Sequence, residues 1–393
     1  MSEPKDGTAP ATGPEVTGSG DAILSEPTNP GPNAAGPRRQ IWAVGGGKGG
    51  IGKSLITANT GIVLSQLGKR VVLIDADLGG ANLHTCLGVP SPRATLGEFI
   101  NRKVEDLKDV VTETPIPNLD LISGAYDFLG AANPKHAQKI RLLRKIQSLD
   151  YDYVLLDLGA GTSYNTLDFF LTAEQGILAV LPEPTSIENA YRFIKTAFYR
   201  RLKMLEPHFH IREMIQMAMD QQSARNVRTP SDLLEEIRKV DEDRGSRLIK
   251  EMARFRPKLI VNQVRAGGDA AIGHQIATAV RKYFGITMEY IGHLEYDDAV
   301  WRSVRRRRPL LLEFPNSKLH RSFVGIVDRL LGAAATGPMD ESDFAPMKAA
   351  TATSPVPAVE TTHSGEGHAA PVIGSTATGT DGEPGAGTRE VPS

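Results

Sequence analysis

A glycine-rich stretch with two lysines is the part of the sequence that points most directly to chemistry. Residues 47–54 read GKGGIGKS and match the spacing G-x-x-x-x-G-K-[ST], directly after an apolar run and ahead of a helical pattern. Glycines let successive backbone N–H groups converge on phosphate oxygens, and the start of a helix adds positive potential. Lys53 is then expected to reach the β- and γ-phosphates of a nucleotide, and the Ser54 hydroxyl to ligate Mg²⁺. Such a loop needs only one lysine, so the motif alone leaves Lys48 without a role.

The segments around this loop alternate between short apolar runs and longer helical patterns. The short runs are rich in Val, Ile and Leu, which is typical of parallel strands buried on both faces. We predict strands at Ile41–Val44, Val71–Ile74, Leu119–Ile122, Tyr153–Leu156, Gly176–Leu181, Lys258–Val261 and Met288–Ile291. Helical spacing predicts helices at Lys53–Leu67, Pro134–Ser148, Thr162–Leu171, Ser186–Leu205, Ala270–Phe284 and Ser317–Leu331. The expected fold class is α/β, a doubly wound, mostly parallel sheet of about seven to eight strands flanked by helices, with ligands at the carboxyl ends of the strands.

The domain organisation follows from shifts in composition along the chain. Residues 1–37 and 338–393 consist mostly of Pro, Gly, Ala, Thr and Ser, so we expect two disordered tails around one domain at 38–337. Within that domain, residues 204–256 contain no strand pattern and are expected to form a helical insertion, with pieces at His210–Gln222 and at Leu233–Phe255. Two readings of the insertion stay open, a helical hairpin that packs on the sheet and a lid that docks a partner.

Charge is distributed unevenly along the chain. Residues 1–37 carry a net −4 and residues 338–393 a net −6, so that, with −1 overall, the core carries about +9. A basic core suits a nucleic acid or an acidic membrane, and the arginine run 305–308, expected on a loop, is the place where such a partner could meet it. The other open reading is a solvated face on a chain kept soluble by acidic tails.

The single cysteine, Cys86, limits the function classes that remain. It excludes disulfides within the chain and all multi-cysteine metal or cluster sites, and it favours the cytoplasm. No apolar stretch reaches the length of a spanning helix, and no signal-peptide pattern opens the chain. We expect a cytoplasmic protein that is at most peripheral at the inner face of the plasma membrane.

The sequence KGGIGKS resembles the deviant Walker A motif, KGGxGK[ST], of the MinD/ParA family of P-loop ATPases, which belong to the SIMIBI class. The resemblance implies ATP and Mg²⁺ as cofactors and a homodimer formed around ATP. It also implies that Lys48 crosses the dimer interface to the phosphates bound by the other subunit, in the manner of an arginine finger. The residues expected to contact nucleotide in this loop are Gly47, Lys48, Gly49, Gly50, Ile51, Gly52, Lys53, Ser54 and Leu55.

Two further segments extend the resemblance to the switch regions of the family. In VVLIDADLGGANLHTCLG, which contains Asp75, Asp77 and Asn82, the resemblance implies that Asp77 lies near Mg²⁺ and aligns the attacking water. In YDYVLLDLGAGTS it implies that Asp157 holds Mg²⁺ through water and that the Gly161 N–H senses the γ-phosphate. The predicted metal residues are therefore Ser54, Asp77 and Asp157, and the predicted catalytic residues are Lys48, Lys53 and Asp77.

The base-binding end has a weaker signature. LIVNQVR places Asn262 just after a predicted strand, and IGHLEYDD places His293–Tyr296 after the last strand. The resemblance implies adenine contacts at these positions. A turn-forming role for a strand-end asparagine stays open as the alternative.

The segments LPEPTSIENAYRFIK and DADLGGANLHTCLG resemble most closely the FlhG/FleN branch, whose members regulate flagellar number. Three features depart from the family pattern. Leu55 replaces a second hydroxyl residue after Ser54, residues 1–37 contain no DQA-type activation segment, and no basic amphipathic helix follows KLHRSFVGIVDRLLG.

The resemblance thus implies an ATPase that dimerises around ATP and hydrolyses it slowly, with a partner protein that stimulates hydrolysis, as a switch in flagellar, division or polar positioning. Two alternatives stay open. One is a ParA-like, ATP-dependent, non-specific DNA-binding partition protein, and the other is a nucleotide-dependent scaffold with little hydrolysis. Cluster carriers of the Mrp type, nitrogenase iron proteins and arsenite pumps are excluded, because each needs cysteines that this chain lacks.

Overall fold

The computed structural model of the chain describes residues 39–77, 80–90, 92, 94–124, 136–209, 211–212, 228–265 and 267–332. The predicted tails, at 1–37 and 338–393, lie outside the described residues, as does most of the predicted helical piece at 210–222.

One sheet forms the centre of the fold. Its strands are β1 (Gln40–Gly45), β2 (Val71–Ala76), β3 (Val111–Glu113), β4 (Leu119–Ile122), β5 (Tyr153–Leu158), β6 (Gln175–Val180), β7 (Lys258–Val264) and β8 (Glu289–Glu295). They lie in the order β3-β4-β2-β5-β1-β6-β7-β8, and every pairing is parallel except that of β3 with β4. The prediction of a doubly wound, mostly parallel sheet is confirmed. The short strand β3 was not predicted, because it is only three residues long and none of its residues is buried.

Helices cover both faces of this sheet. They are α1 (Lys53–Gln66), α2 (Leu83–Leu87), α3 (Leu96–Ile100), α4 (His136–Ile146), α5 (Tyr164–Thr172), α6 (Pro184–Phe209), α7 (Pro230–Val240), α8 (Glu242–Ala253), α9 (Gly267–Phe284), α10 (Asp298–Arg306), α11 (Leu310–Glu313) and α12 (Lys318–Leu331). The sequence pattern did not predict α2, α3, α10 or α11. The expectation that the arginine run 305–308 lies on a loop was wrong for Arg305 and Arg306, which form the last turn of α10.

The strand β1 illustrates how the sequence builds two cores. Its side chains alternate between the faces of the sheet, so Ile41 and Ala43 join one buried cluster while Trp42 and Val44 join the other. Residues of α3 to α9 complete the first cluster, and residues of α1, α2 and α10 to α12 complete the second. β1 lies between β5 and β6 in the interior of the sheet and is buried on both faces, so its carboxyl end is flanked by neighbouring strands.

The described part of the insertion consists of α7 and α8, which pack against each other and on the first core. Thr229 caps the N-terminus of α7, and Asp241 caps that of α8. Ile237 and Met252 are fully buried in the first cluster. The contacts of these helices are therefore those of a hairpin packed on the sheet domain.

A buried ion cluster joins three helices on the same side of the sheet. Asp168 of α5 forms ion pairs with Lys139 of α4 and with Arg200 of α6, whose Nε lies 2.7 Å from the carboxylate. Burial alone would raise the pKa of Asp168, but the hydrogen bonds from Arg200 and Lys139 outweigh it and hold that pKa below its usual value. No helix in the described ranges has the length and apolar character needed to cross a bilayer.

Candidate nucleotide-binding site

The glycine-rich loop connects the carboxyl end of β1 to the first residue of α1. Gly50 and Gly52 have φ angles of 76° and 90°, in the left-handed region that favours glycine, and Gly52 caps α1. Gly47 meets a different constraint, because a Cβ there would lie 2.3 Å from the Asn189 carbonyl oxygen of α6. The loop therefore has the backbone of a phosphate cradle, in which N–H groups converge at a helix N-terminus.

The two lysines of the loop lie in different environments. Lys53 is 8% exposed and close enough to Asp157 to influence its pKa. Lys48 is exposed, and no hydrogen bond or ion pair joins it to another residue in the described part of the chain. The Lys53 ammonium therefore lies within the site of its own chain, whereas the Lys48 ammonium is exposed to solvent.

Two buried aspartates lie below the loop, at the carboxyl ends of adjacent strands. Asp75 of β2 and Asp157 of β5 occupy paired positions in the register of the sheet and are 0% and 1% exposed. Burial raises the pKa of Asp157 to about 8 and repulsion from Asp75 adds to the rise, while a hydrogen bond from Ser54 and the charge of Lys53 oppose it. The Thr57 hydroxyl lies 3.4 Å from the Asp157 carboxylate. A bound cation beside this pair would offset the repulsion, and carboxylate and hydroxyl oxygens are ligands that Mg²⁺ accepts.

Asp75 was not predicted as a site residue. Its carboxylate accepts hydrogen bonds from the N–H groups of Asp77 and Leu83 at 3.1 and 3.0 Å, so it fixes the turn that carries Asp77. Burial raises its pKa to about 6, against the effect of these hydrogen bonds. The signal that could have identified Asp75 is its position, because both aspartates are the fifth residue of parallel neighbouring strands.

Asp77 lies where three segments meet. A Cβ on Gly159 would lie 3.2 Å from the Asp77 carboxylate, so the turn after β2 contacts the turn after β5. The Gly161 N–H donates to the carbonyl of Gly46 at 3.2 Å, which attaches the turn after β5 to the glycine-rich loop. The predicted residues Lys53, Ser54, Asp77, Asp157 and Gly161 are thus brought to one edge of the sheet.

Asn262 also reaches this edge, but it contacts the loop. Its amide nitrogen donates to the Ile51 carbonyl at 2.8 Å, and its oxygen accepts the Gln263 N–H. It is buried, and a Cβ on Gly52 would lie 2.3 Å from its amide nitrogen. The side chain therefore supports the glycine-rich loop, which sequence reasoning did not foresee.

A cavity of about 450 Å³ opens beside the ends of β7 and β8. Three of the four residues expected at the base-binding end, His293, Glu295 and Tyr296, line it, and the Arg265 guanidinium stacks 4.2 Å from the Tyr296 ring centroid. Asn262 is not among its lining residues. An apolar ring face beside polar groups is a suitable lining for a planar base.

The sequence of the chain is similar to those of several known proteins. The sequence profile of the AAA domain family matches residues 39–209. The antiactivator FleN of Pseudomonas aeruginosa is 28% identical over 293 residues, which cover 74% of this chain and 86% of FleN. The septum site-determining protein MinD of Synechocystis sp. is 32% identical over 156 residues, which cover 39% of this chain and 58% of that protein. The match thus spans 86% of the length of FleN but only 58% of the length of this MinD.

The fold comparison agrees with the sheet topology. The septum site-determining protein MinD of Pyrococcus horikoshii, solved in complex with Mg-ADP, matches with a TM-score of 0.50 and 20% identity. The match covers 75% of this chain and 98% of the other. At this identity the likeness establishes the fold alone, a mostly parallel sheet flanked by helices.

Proposed function

We propose that this chain, which belongs to the MinD/ParA family of P-loop ATPases on its FlhG/FleN branch, is a switch that dimerises around ATP and Mg²⁺ and hydrolyses ATP slowly. FleN, which matches this chain over 293 residues, carries the name antiactivator, which supports a regulatory role such as the placement of flagella or of the division site. We further propose that residues 38–337 form the ATPase domain, with the insertion at 204–256, and that the protein acts in the cytoplasm.

The observation that carries this proposal is the contrast between the two lysines. Lys53 is buried beside Asp157 and can neutralise a phosphate of its own nucleotide. Lys48 protrudes from the same loop without a partner in the described residues, so its ammonium is free to reach a second molecule. A cation supplied from another subunit stabilises the charge that develops on a transferred phosphoryl group.

The remaining site residues have roles that follow from their positions. Ser54 and Asp157 would hold Mg²⁺, which would supply positive charge to offset that of the phosphates. Asp77 would orient the attacking water and accept its proton, and the Gly161 N–H would reach a phosphate once its hydrogen bond to Gly46 opens. A single carboxylate on a glycine-rich turn orients a water molecule poorly, so we expect hydrolysis to be slow. We further expect a partner protein to stimulate it.

The test measures the ATPase rate and the ATP-dependent molar mass, by light scattering, for the full chain and its variants. Lys48→Ala should still bind ATP but should stay monomeric and lose about 100-fold or more in rate, because the cation supplied in trans is gone. Asp77→Ala should form the dimer and keep it, because hydrolysis no longer resets the switch. Lys53→Ala should bind ATP poorly.

Lys195→Ala is the matched control, since Lys195 is an exposed lysine of α6 with no ion pair in the described residues. It should behave as the wild type does in both assays. If Lys48→Ala dimerised and hydrolysed ATP like the control, the proposed dimer mechanism would be wrong. A wild-type dimer without measurable ATP turnover would instead favour the nucleotide-dependent scaffold.

A further inference from the structure

We propose that the exposed face of α10 is a contact surface for bilayers of anionic phospholipid. We call this surface the Trp301 face and define it by the exposed residues Trp301, Arg302, Val304, Arg305, Arg307 and Arg308. It lies on the helix and its C-terminal end, and none of its residues is a predicted nucleotide or metal contact. The proposal does not depend on the ATP-dependent dimer.

The apolar part of the Trp301 face consists of two side chains whose exposure contributes nothing to the stability of the fold. Trp301 is 61% exposed and Val304 is 41% exposed, and their spacing of three places them on one side of the helix. The helix packs on the protein with Ala299 and Ser303, which are buried on the opposite side. The other tryptophan of the chain, Trp42, is fully buried, as is usual for so large an apolar residue.

The basic part of the face surrounds these side chains. Arg302, Arg305, Arg307 and Arg308 are exposed, and within the described residues none of them forms an ion pair, whereas Arg306 is paired with Glu313. Two arginines at the C-terminal end of α10 would be enough to complement the helix dipole. The additional unpaired guanidinium groups therefore create a local excess of positive charge, opposite Asp298 at the other end of the helix.

Two of these four arginines lie close to aromatic rings. The guanidinium of Arg305 lies 5.1 Å from the Trp301 ring centroid, and that of Arg302 lies 5.2 Å from the Phe314 ring centroid. A guanidinium stacked on a ring keeps its N–H groups available for phosphate oxygens, so the stacking orders the side chains without using their donors.

The combination of exposed apolar side chains with unpaired arginines favours a lipid surface over duplex DNA. Arginines could contact phosphates in either partner, but only the bilayer interface has a place for an exposed indole and an exposed valine. At the outer surface of duplex DNA the backbone is charged throughout, and it would leave both apolar side chains in water. The Trp301 face is short, so we expect weak, salt-sensitive binding for one copy of the chain.

The test uses the full chain with Mg²⁺ and a slowly hydrolysed ATP analogue. Sedimentation with vesicles of phosphatidylcholine alone, or of phosphatidylcholine and phosphatidylglycerol in equal parts, measures binding, while tryptophan emission reports on Trp301, because Trp42 is buried already. The wild type should bind only the anionic vesicles, with a blue shift in emission. Arg305→Gln with Arg308→Gln should lower the partition coefficient about 25-fold, at about fivefold per arginine. Trp301→Gln should lower it about tenfold and abolish the blue shift.

The matched controls come from α8 and α9, where exposed aromatic and basic residues are also found. Tyr283→Gln, and Arg247→Gln with Arg281→Gln, remove side chains of the same kinds and should leave vesicle binding unchanged. Circular dichroism and ADP binding establish that each variant is folded. The proposal fails if the wild type ignores anionic vesicles, or if the Trp301 face variants bind them as the controls do. It fails equally if the arginine variants lose duplex DNA binding while vesicles leave the emission unchanged, since the face would then be a nucleic-acid contact.

Discussion

Replacing Asp157 by Asn should stabilise the nucleotide-free protein at alkaline pH. Asp157 is fully buried, and its pKa of about 8 lies far above the value of about 3.9 in an unfolded chain. Between these two values the folded protein holds a proton that the unfolded chain has released, so the unfolding free energy of the wild type falls as the pH rises. Asn carries no charge, so the unfolding free energy of the variant does not fall with pH for this reason.

The magnitude follows from the pH interval. Each pH unit within the window changes the unfolding free energy by about 1.4 kcal/mol, so the interval from about pH 5 to about pH 8 has an upper bound of about 4 kcal/mol. Water entry and local relaxation reduce it, and we expect the advantage of Asp157→Asn over wild type to grow by about 2–4 kcal/mol across the interval. At about pH 5 the protonated aspartate and the amide should be nearly equivalent. Asp75 titrates in both proteins, but Asp157→Asn removes the repulsion between the two carboxylates, so the measured difference belongs to the pair and includes the change in Asp75.

The assay is equilibrium unfolding in urea, followed by the emission of Trp42, which is buried in β1 against Tyr153. Asp243→Asn, at an exposed aspartate of α8, is the control and should show no comparable pH dependence relative to wild type. Mg²⁺ with ADP at about 100 times its dissociation constant should stabilise the wild type by about 2.7 kcal/mol and Asp157→Asn much less. A stability difference that does not change with pH would refute the buried-charge argument, and equal stabilisation by Mg²⁺ with ADP would remove Asp157 from the metal site.

Three further substitutions test the loop and its support. Leu55→Thr should tighten ATP binding about tenfold by adding a hydroxyl donor to phosphate, and Leu55→Val should not, as measured by calorimetric titration. Asn262→Ala should weaken ADP and inorganic diphosphate alike, because the lost hydrogen bond supports the Ile51 carbonyl; a loss confined to ADP would indicate a contact with the base instead. Asp168→Asn should lower the unfolding free energy by about 3–5 kcal/mol, since it leaves Lys139 buried without its carboxylate; urea midpoints within error of wild type would show that the ion cluster adds no stability.

Much of the fold could be predicted because the central strands are buried on both faces. The apolar runs of β1, β2 and β5 are continuous, so composition alone is enough to identify them as strands. The same reasoning failed for α10, whose contact with the core is made by Ala299 and Ser303 instead of a stripe of large apolar residues. It failed for β3 as well, since a short edge strand has no alternating pattern to detect.

The candidate site was predictable where local spacing determines it. The glycine-rich loop encodes its own conformation, and Lys53 and Ser54 follow from it. Contacts across the fold could not be predicted in this way. Asn262 and Ile51 are 211 positions apart, and their hydrogen bond depends on how β7 lies against the loop. The burial of Asp75 beside Asp157 depends on the strand order, which no single segment specifies.

The balance of charge at the site gives a reason for two lysines with different roles. Asp75, Asp77 and Asp157 lie at this edge of the sheet with Lys53 as the near cation, so the site itself favours a metal ion over an anion. On the proposed function, a nucleotide would enter when Mg²⁺, the helix N-terminus and Lys53 together outweigh the carboxylates, and little positive charge would then remain for the charge that develops during transfer. An additional cation would have to come from outside this balance. Lys48, exposed on the same loop, has no carboxylate partner within the described residues, which is the condition that a cation shared with a second subunit must meet.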